Sequence, residues 1–178
     1  MNLLPHVALS SAAGVGVWAA TGDEAAIPVA VAAGVLPDLD HLLDYYVRYF
    51  RFNWKYMFLL LHGWEYLAAG VLIYGLWVRE PWLLAALLGY ATQVGADQFN
   101  NRVKWHTYFI VSRALRGFRS METLGRVDYR GYMAVVNVAP FGKERLMQWF
   151  ERRTAQARSR AGAADGGVAT ASPARSPR

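Results

Sequence analysis

The 178-residue chain contains no cysteine. A disulfide framework, a thiolate-ligated zinc site and thiol catalysis are therefore excluded, and the composition carries no sign of a redox compartment. Basic residues are scarce in the first hundred positions, where Arg48, Arg51, Lys55 and Arg79 stand against eight Asp/Glu, a balance of −4. Acidic residues are scarce afterwards: residues 101–178 hold fifteen Lys/Arg and five Asp/Glu, a balance of +10. The overall net charge of +6 and mean hydropathy of +0.12 are thus averages of two unlike parts. The first part is too rich in large aliphatic side chains to be disordered, and no repeat of solenoid period is visible.

What fills the acidic part is a succession of apolar runs at 3–20, 24–36, 57–78 and 82–99. The first has no Asp, Glu, Lys or Arg; the second stops at Pro37, as helices tend to at proline. The third is interrupted by His62 and Glu65, and the fourth by Gln93 and Asp97. A membrane-spanning helix needs roughly 20 mostly apolar residues. Three of the runs meet that length, and the second needs a thinned bilayer or a partly re-entrant path. A signal peptide would open with positive charge, where Pro5 and His6 stand instead. A soluble bundle would show a polar face at helical period, and LLAALLGYA and AAGVLIYGLWV show none.

The expected fold class is therefore all-α integral membrane, with about four transmembrane helices in an up-and-down bundle plus interfacial amphipathic helices. Residues 1–100 form the bundle, 101–158 a basic amphipathic region, and 159–178 a disordered tail. The aromatic and basic stretch DHLLDYYVRYFRFNWKYM suits the headgroup layer, and its place between two hydrophobic runs argues against a nucleic-acid partner. Within the basic region, 102–118 reads as one amphipathic helix and 132–138 as a short extended piece. Residues 143–158 read as a charged helix with Leu146, Met147, Trp149 and Phe150 as its apolar contribution. The excess of Lys/Arg on one set of loops predicts a multi-pass membrane protein with both termini cytoplasmic.

Ionisable groups inside such helices cost on the order of 2.5–3.5 kcal/mol each, so each needs a reason. In an up-and-down bundle, His6, Asp38, Asp40, His41, His62, Glu65, Gln93 and Asp97 fall at one level, since starts of odd helices and ends of even ones share a face. His62 and Glu65 are spaced i,i+3, and Gln93 and Asp97 i,i+4, so each pair projects from one helix face. Histidine–carboxylate sets contributed by several helices are how bundles build metal sites. Imidazole with carboxylate suits zinc, manganese or iron, and the set is large enough for two ions, as used in phosphoester cleavage. Other uses exist for each residue. Asp38 and Asp40 fit helix caps, His6 an interfacial histidine, His62 and Glu65 a hydrogen-bonded pair, and Gln93 a supporting hydrogen-bonding group. Asp44 and His106 read as interfacial. None of these uses explains the shared depth.

At PDLDH (37–41), LHGWE (61–65) and GYATQVGADQFNN (89–101) the sequence resembles a bacterial family of small integral membrane proteins, the membrane-bound metal-dependent hydrolases that include the LexA-regulated inner-membrane member. That family has an early histidine, a PD-x-DH motif, a histidine motif at the third helix and His-x-x-x-Asp near the end of the fourth. His6, Asp38, Asp40, His41, His62 and Asp97 fit those places, and the resemblance covers roughly residues 1–115. The better-known branch carries H-R-G-x-T-H-S, whose second histidine is absent here, with Glu65 of HGWE offered instead. Gln93 stands where the family has the histidine before its last aspartate, a weaker ligand that lowers metal affinity.

The resemblance implies a hydrolase with metal ligands drawn from His6, Asp38, Asp40, His41, His62, Glu65 and Asp97. A divalent ion, zinc or manganese, would be the cofactor, and Glu65 or Asp40 the general base. A lipid or other membrane-associated ester or phosphoester is the expected substrate, given the depth of the site and a cationic rim of Arg48, Arg51, Arg102 and Arg113. The alternative is a non-catalytic membrane protein whose polar cluster is structural or binds an ion or partner. A transporter is disfavoured by the lack of inverted repeats.

Overall fold

The computed structural model describes residues 3–101, 103–125 and 132–166. Among them the structure is helical, with no strand and one isolated bridge between Tyr56 and Arg119. The helices are α1 (Leu3–Thr21), α2 (Ala26–Val35), α3 (Asp40–Tyr45), α4 (Trp64–Leu76), α5 (Pro81–Asn100), α6 (Ile110–Leu115), α7 (Ser120–Leu124), α8 (Met133–Val138) and α9 (Lys143–Gly166). They fall into two compact units, Met1–Asp44 with Lys55–Val127, and Tyr45–Trp54 with Asp128–Arg178.

In the first unit α1, α2 and α5 pack against one another. Small residues permit the close approach. A methyl group on Gly14 would lie 2.7 Å from the Ile27 Cα, and one on Gly89 would collide with the Ala30 carbonyl. Ala26, Ala30, Ala85 and Val17 form the dry centre of this contact. Ser10 also lies there, its hydroxyl donating back to the His6 carbonyl at 2.6 Å. Small residues at helix contacts and hydroxyls bonded to their own helix are the devices of membrane helix packing.

Two helices are long and apolar enough to cross a membrane: Leu3–Thr21, with 19 residues, and a composite run Ala26–Phe50, with 25. The second departs from the sequence expectation, which ends it at Pro37. The α-helix instead tightens into a 3₁₀ turn over Leu36–Leu39 with Pro37 near its start, then resumes as α3 and ends in a π-turn over Tyr46–Phe50. Proline lacks the N–H that an α-helix interior needs, but it is tolerated at the start of a new turn.

The third apolar run departs in the other direction. Residues 57–63 are not helical; α4 begins only at Trp64 and has 13 residues, about 20 Å of helix against the roughly 30 Å of a hydrocarbon core. α5 has 20 residues and opens with Pro81 at its first turn, where a missing N–H costs nothing. Its Val94 packs with Met57, Leu59 and Tyr108 in a second buried cluster, which draws 57–59 inward.

The basic region is more broken than its periodicity suggests. The pattern over 102–118 predicts one helix, yet among the described residues of that stretch only Ile110–Leu115 is helical, and Thr107 and Tyr108 are buried. The Thr107 hydroxyl donates to the Thr123 carbonyl at 2.9 Å, which ties this turn to α7. In the second unit, the stretch expected to be extended at 132–138 contains helix α8. α9 continues to Gly166, past the start of the expected disordered tail, whose remainder lies outside the described residues. Tyr49, Trp54, Tyr132, Val136 and Phe150 are the buried apolar residues among those described in this unit, with the Tyr132 and Phe150 rings stacked at 4.9 Å.

Candidate metal centre

Four elements of the first unit bring polar groups together. α1 supplies His6, the 3₁₀ turn supplies Asp38, α3 supplies Asp40 and His41, and α5 supplies Gln93 and Asp97. His62 comes from the non-helical segment before α4, not from a helix face.

His62 is fully buried and is the hub. Its Nδ1 lies 3.1 and 3.2 Å from the two carboxylate oxygens of Asp40. Its Nε2 lies 3.3 Å from Asp38 Oδ1 and 3.3 Å from Asp97 Oδ2. His41 Nε2 is 3.8 Å from the same Asp38 oxygen. Asp38, His41, His62 and Asp97 thus each offer one donor atom, all within 4.8 Å of one another.

That spacing has chemical content. Donors roughly 2.0–2.2 Å from a tetrahedral ion stand about 3.3–3.6 Å apart, the separation of His62 Nε2 from the Asp38 and Asp97 oxygens, while His41 Nε2 is 3.8 Å from Asp38 and the four donors lie within 4.8 Å. With the Nδ1 proton directed at Asp40, His62 Nε2 presents a lone pair to two carboxylates. Only positive charge between them, a cation or a second proton on the ring, makes such a triplet favourable in a buried site. Two imidazole nitrogens and two carboxylate oxygens form a donor set suited to zinc, manganese or iron. The residues therefore fit a divalent ion, and the four donors suffice for one.

The supporting groups are equally specific. Asp40 stands behind His62, not among the donors, in the carboxylate–histidine arrangement that fixes a ligand's tautomer and angle. Its Oδ2 also accepts from the Leu61 N–H at 2.7 Å. His6 Nε2 lies 3.4 Å from the outer oxygen of Asp97. Gln93 donates from Nε2 to Asp38 at 2.6 Å and stands 3.3 Å from His62 Nε2. Gln93 thus occupies the position of a ligand while acting as a hydrogen-bond donor.

Glu65 is placed elsewhere. Its Oε1 accepts from the Val111 N–H at 3.0 Å, at the start of α6, where a carboxylate satisfies an open backbone donor and meets the positive helix end. The i,i+3 relation to His62 does not bring them together, because helix α4 begins after His62. Asp44, expected at an interface, is buried and accepts from the Phe58 N–H at 3.0 Å. His106 lies outside the cluster, and burial followed by Arg116 and Lys104 lowers its proton affinity below the ordinary histidine value.

The expected cationic rim is not present as drawn. Arg113 is fully buried, Arg48 is buried in the second unit, Arg51 is exposed there, and Arg102 lies outside the described residues. Arg113 proves more important than a rim residue. Its guanidinium donates to the carbonyls of Leu59 and His62 and so fixes the non-helical segment that carries the hub histidine.

Tyr90 completes the clamp. Its hydroxyl accepts from the Gly63 N–H at 2.9 Å and faces the carbonyls of Leu61 at 2.8 Å and Gly63 at 2.9 Å. Tyr108, whose ring is 5.8 Å from that of His62, keeps its proton well above the ordinary range through burial and then the charge of Asp97. Arg113 lies in no motif, and Tyr90 falls inside GYATQVGADQFNN without a role read from it. The one sequence signal is a polar group isolated among apolar neighbours.

His6, His62 and Asp97 are sealed from solvent, whereas the side chains of Asp38 and His41 are 24% and 28% exposed. The cluster therefore opens on the Asp38–His41 edge. A groove of about 350 Å³ lined by Ala33, Leu36, Pro37, Leu61, Tyr66 and Tyr90 includes the chain neighbours of Asp38 and His62. No family model, curated protein or solved structure matches the chain.

Proposed function

We propose that the chain is a metal-dependent hydrolase of the bacterial cytoplasmic membrane, acting on a lipid or other membrane-associated ester or phosphoester. The observation that carries this reading is the convergence of Asp38, His41, His62 and Asp97 within 4.8 Å around a histidine whose far nitrogen is held by Asp40. A bound zinc or manganese ion would polarise the scissile group and ease deprotonation of water. Asp38, His62 and Asp97 are the ligands held by further hydrogen bonds, and three protein ligands with one open position is the pattern of catalytic zinc sites.

His41, more loosely placed at the open edge, is the group positioned to take a proton at Nε2. Glu65 and Asp40 are committed to backbone donors and to His62, so the general-base role moves away from them. The apolar groove beside the open edge suits the hydrocarbon part of a membrane-dwelling substrate.

Membrane insertion is supported by the two long apolar helices and by outward-facing side chains such as Leu4, Leu72, Leu76 and Trp77, which would be costly in water. Cytoplasmic termini are the orientation that the loop charges favour, and a reporter fused after Arg178 should be cytoplasmic.

The deciding measurement is metal content after purification in detergent. Wild type should carry about one zinc or manganese per chain, the number one such site holds, and the His62→Ala, Asp38→Ala double variant should carry none. Equal, substoichiometric metal in both would overturn the site. A second reading has one observation in its favour: the Gln93 amide knits Asp38 and His62 into a hydrogen-bonded network. A purely structural cluster would purify without metal and melt at the same temperature with and without chelator.

A further inference from the structure

The second unit, Tyr45–Trp54 with Asp128–Arg178, has chemistry of its own. Helix α9 carries Lys143, Arg145, Arg152, Arg153, Arg158 and Arg160 against Glu144, Glu151 and Asp165. Arg153, Gln156 and Ala157 are spaced i, i+3, i+4 and share one face of it. Together with Arg51 and Phe52 they line a pocket of about 300 Å³.

Phe52 is held at φ +52°, a left-handed conformation that bulky residues rarely adopt. Its ring there lies 5.2 Å from the Arg153 guanidinium carbon and 6.0 Å from the Trp149 ring, so the aromatic face supports the cation. Backbone strain of this kind persists where surrounding structure enforces it, and it recurs at ligand sites.

Among the described residues, neither Arg51 nor Arg153 has a carboxylate partner. Two like charges then face one cleft, an arrangement that repels unless an anion enters. We propose that this pocket binds a phosphate group. Two planar guanidinium forks and the Gln156 amide supply more donors than the two oxygens of a carboxylate can use, and they match the oxygens of a phosphate. Arg51 directly follows Ala26–Phe50, one of the two helices long enough to cross a membrane, which puts a phospholipid headgroup within the range of sources alongside a free phosphate.

The test uses the full chain in an uncharged detergent at fixed salt, titrated calorimetrically with inorganic phosphate and, separately, with dihexanoyl phosphatidic acid below its micelle concentration. Wild type should bind both; tighter binding of the lipid identifies a headgroup site, and equal binding a site for the phosphate group alone. Arg51→Gln and Arg153→Gln should each weaken binding roughly tenfold, and the double variant should abolish it. Arg152→Gln, outside the pocket, should stay within about twofold of wild type. Should the double variant lose helix, Arg51→Lys and Arg153→Lys decide, because they keep the charge and remove the fork; each should still weaken binding measurably. No binding of either probe by wild type, or equal binding by wild type and the folded variants, overturns the proposal. The pocket residues are distinct from the candidate metal ligands, so metal content should be the same in every variant.

Discussion

The two units of this chain are patterned in opposite senses. In the first, the fully buried side chains include His6, Ser10, His62, Gln93, Asp97, Thr107 and Arg113, while Leu4, Leu72, Leu76 and Trp77 are exposed. In the second, Tyr49 and Phe150 are buried, and Arg51, Arg152 and Arg153 are exposed. A water-facing domain is built like the second unit. The first makes physical sense where its surroundings are as apolar as its outer side chains. The contrast also separates two kinds of charge. In the first unit Asp38, Asp40, His62 and Asp97 gather into one centre, whereas in the second Arg48 is buried and Arg51, Arg152 and Arg153 are presented outward.

Removing a buried charge should be felt far more than removing an exposed one. Arg113→Met should cost about 3 kcal/mol or more, because the carbonyls of Leu59 and His62 are left without donors in a buried site. Arg152→Ala, on the exposed face of α9, should stay within about 0.5 kcal/mol. Melting curves of the two variants in the same detergent measure the difference. Similar shifts would remove the distinction between the units.

Within the centre, Asp40→Asn should keep the fold and lower zinc affinity about 10–100-fold, the usual effect of loosening the partner behind a metal-bound histidine. The amide oxygen of the substituted side chain can still accept a hydrogen bond, so helix content should be unchanged while the affinity falls. Competition with a coloured chelator reads the change directly. An unaltered affinity would mean that His62 is not a ligand through Nε2.

Gln93→His sharpens the same point with a smaller effect of opposite sign. An imidazole in place of the amide that now donates to Asp38 would add a nitrogen donor 3.3 Å from His62 Nε2, where Gln93 Nε2 lies. Zinc should bind more tightly and dissociate more slowly from this variant. Weaker binding would show that the Gln93 hydrogen bond to Asp38, rather than its place in the ligand ring, is what the centre needs.

How far the sequence disclosed this centre depends on the range of the interactions involved. The clustering of His6, Asp38, His41, His62, Gln93 and Asp97 followed from alternating helix direction, a rule about topology that needs no side-chain detail. The ranking of those residues did not follow. Asp40 stands behind His62 instead of among the donors because the segment at 57–63 is extended, and that segment is extended because Asp40, Tyr90 and Arg113 hold its backbone. Arg113 lies 51 and 54 residues from the two carbonyls it binds, and no local pattern registers a bond of that separation. Pro37 misled for the converse reason. Local chemistry says an α-helix stops there, which it does, but a 3₁₀ turn carries the helical run onward.

Glu65 provides the smallest and most discriminating expectation. HGWE places it at i,i+3 from His62, the spacing of a ligand pair, but the structure gives its carboxylate to the Val111 N–H at the start of α6. The charge therefore acts on α6, the helix that carries Arg113, and only through it on His62. Glu65→Gln preserves an acceptor for the backbone donor and removes the charge at the helix N-terminus. It should lower stability by about 0.3–1 kcal/mol, with salt reducing the difference. Metal content should not change, because no donor within the four-residue cluster is altered. A loss of metal as large as that expected for Asp40→Asn would instead place Glu65 in the centre, and would show that the extended segment before α4 moves enough to bring its carboxylate to the ion.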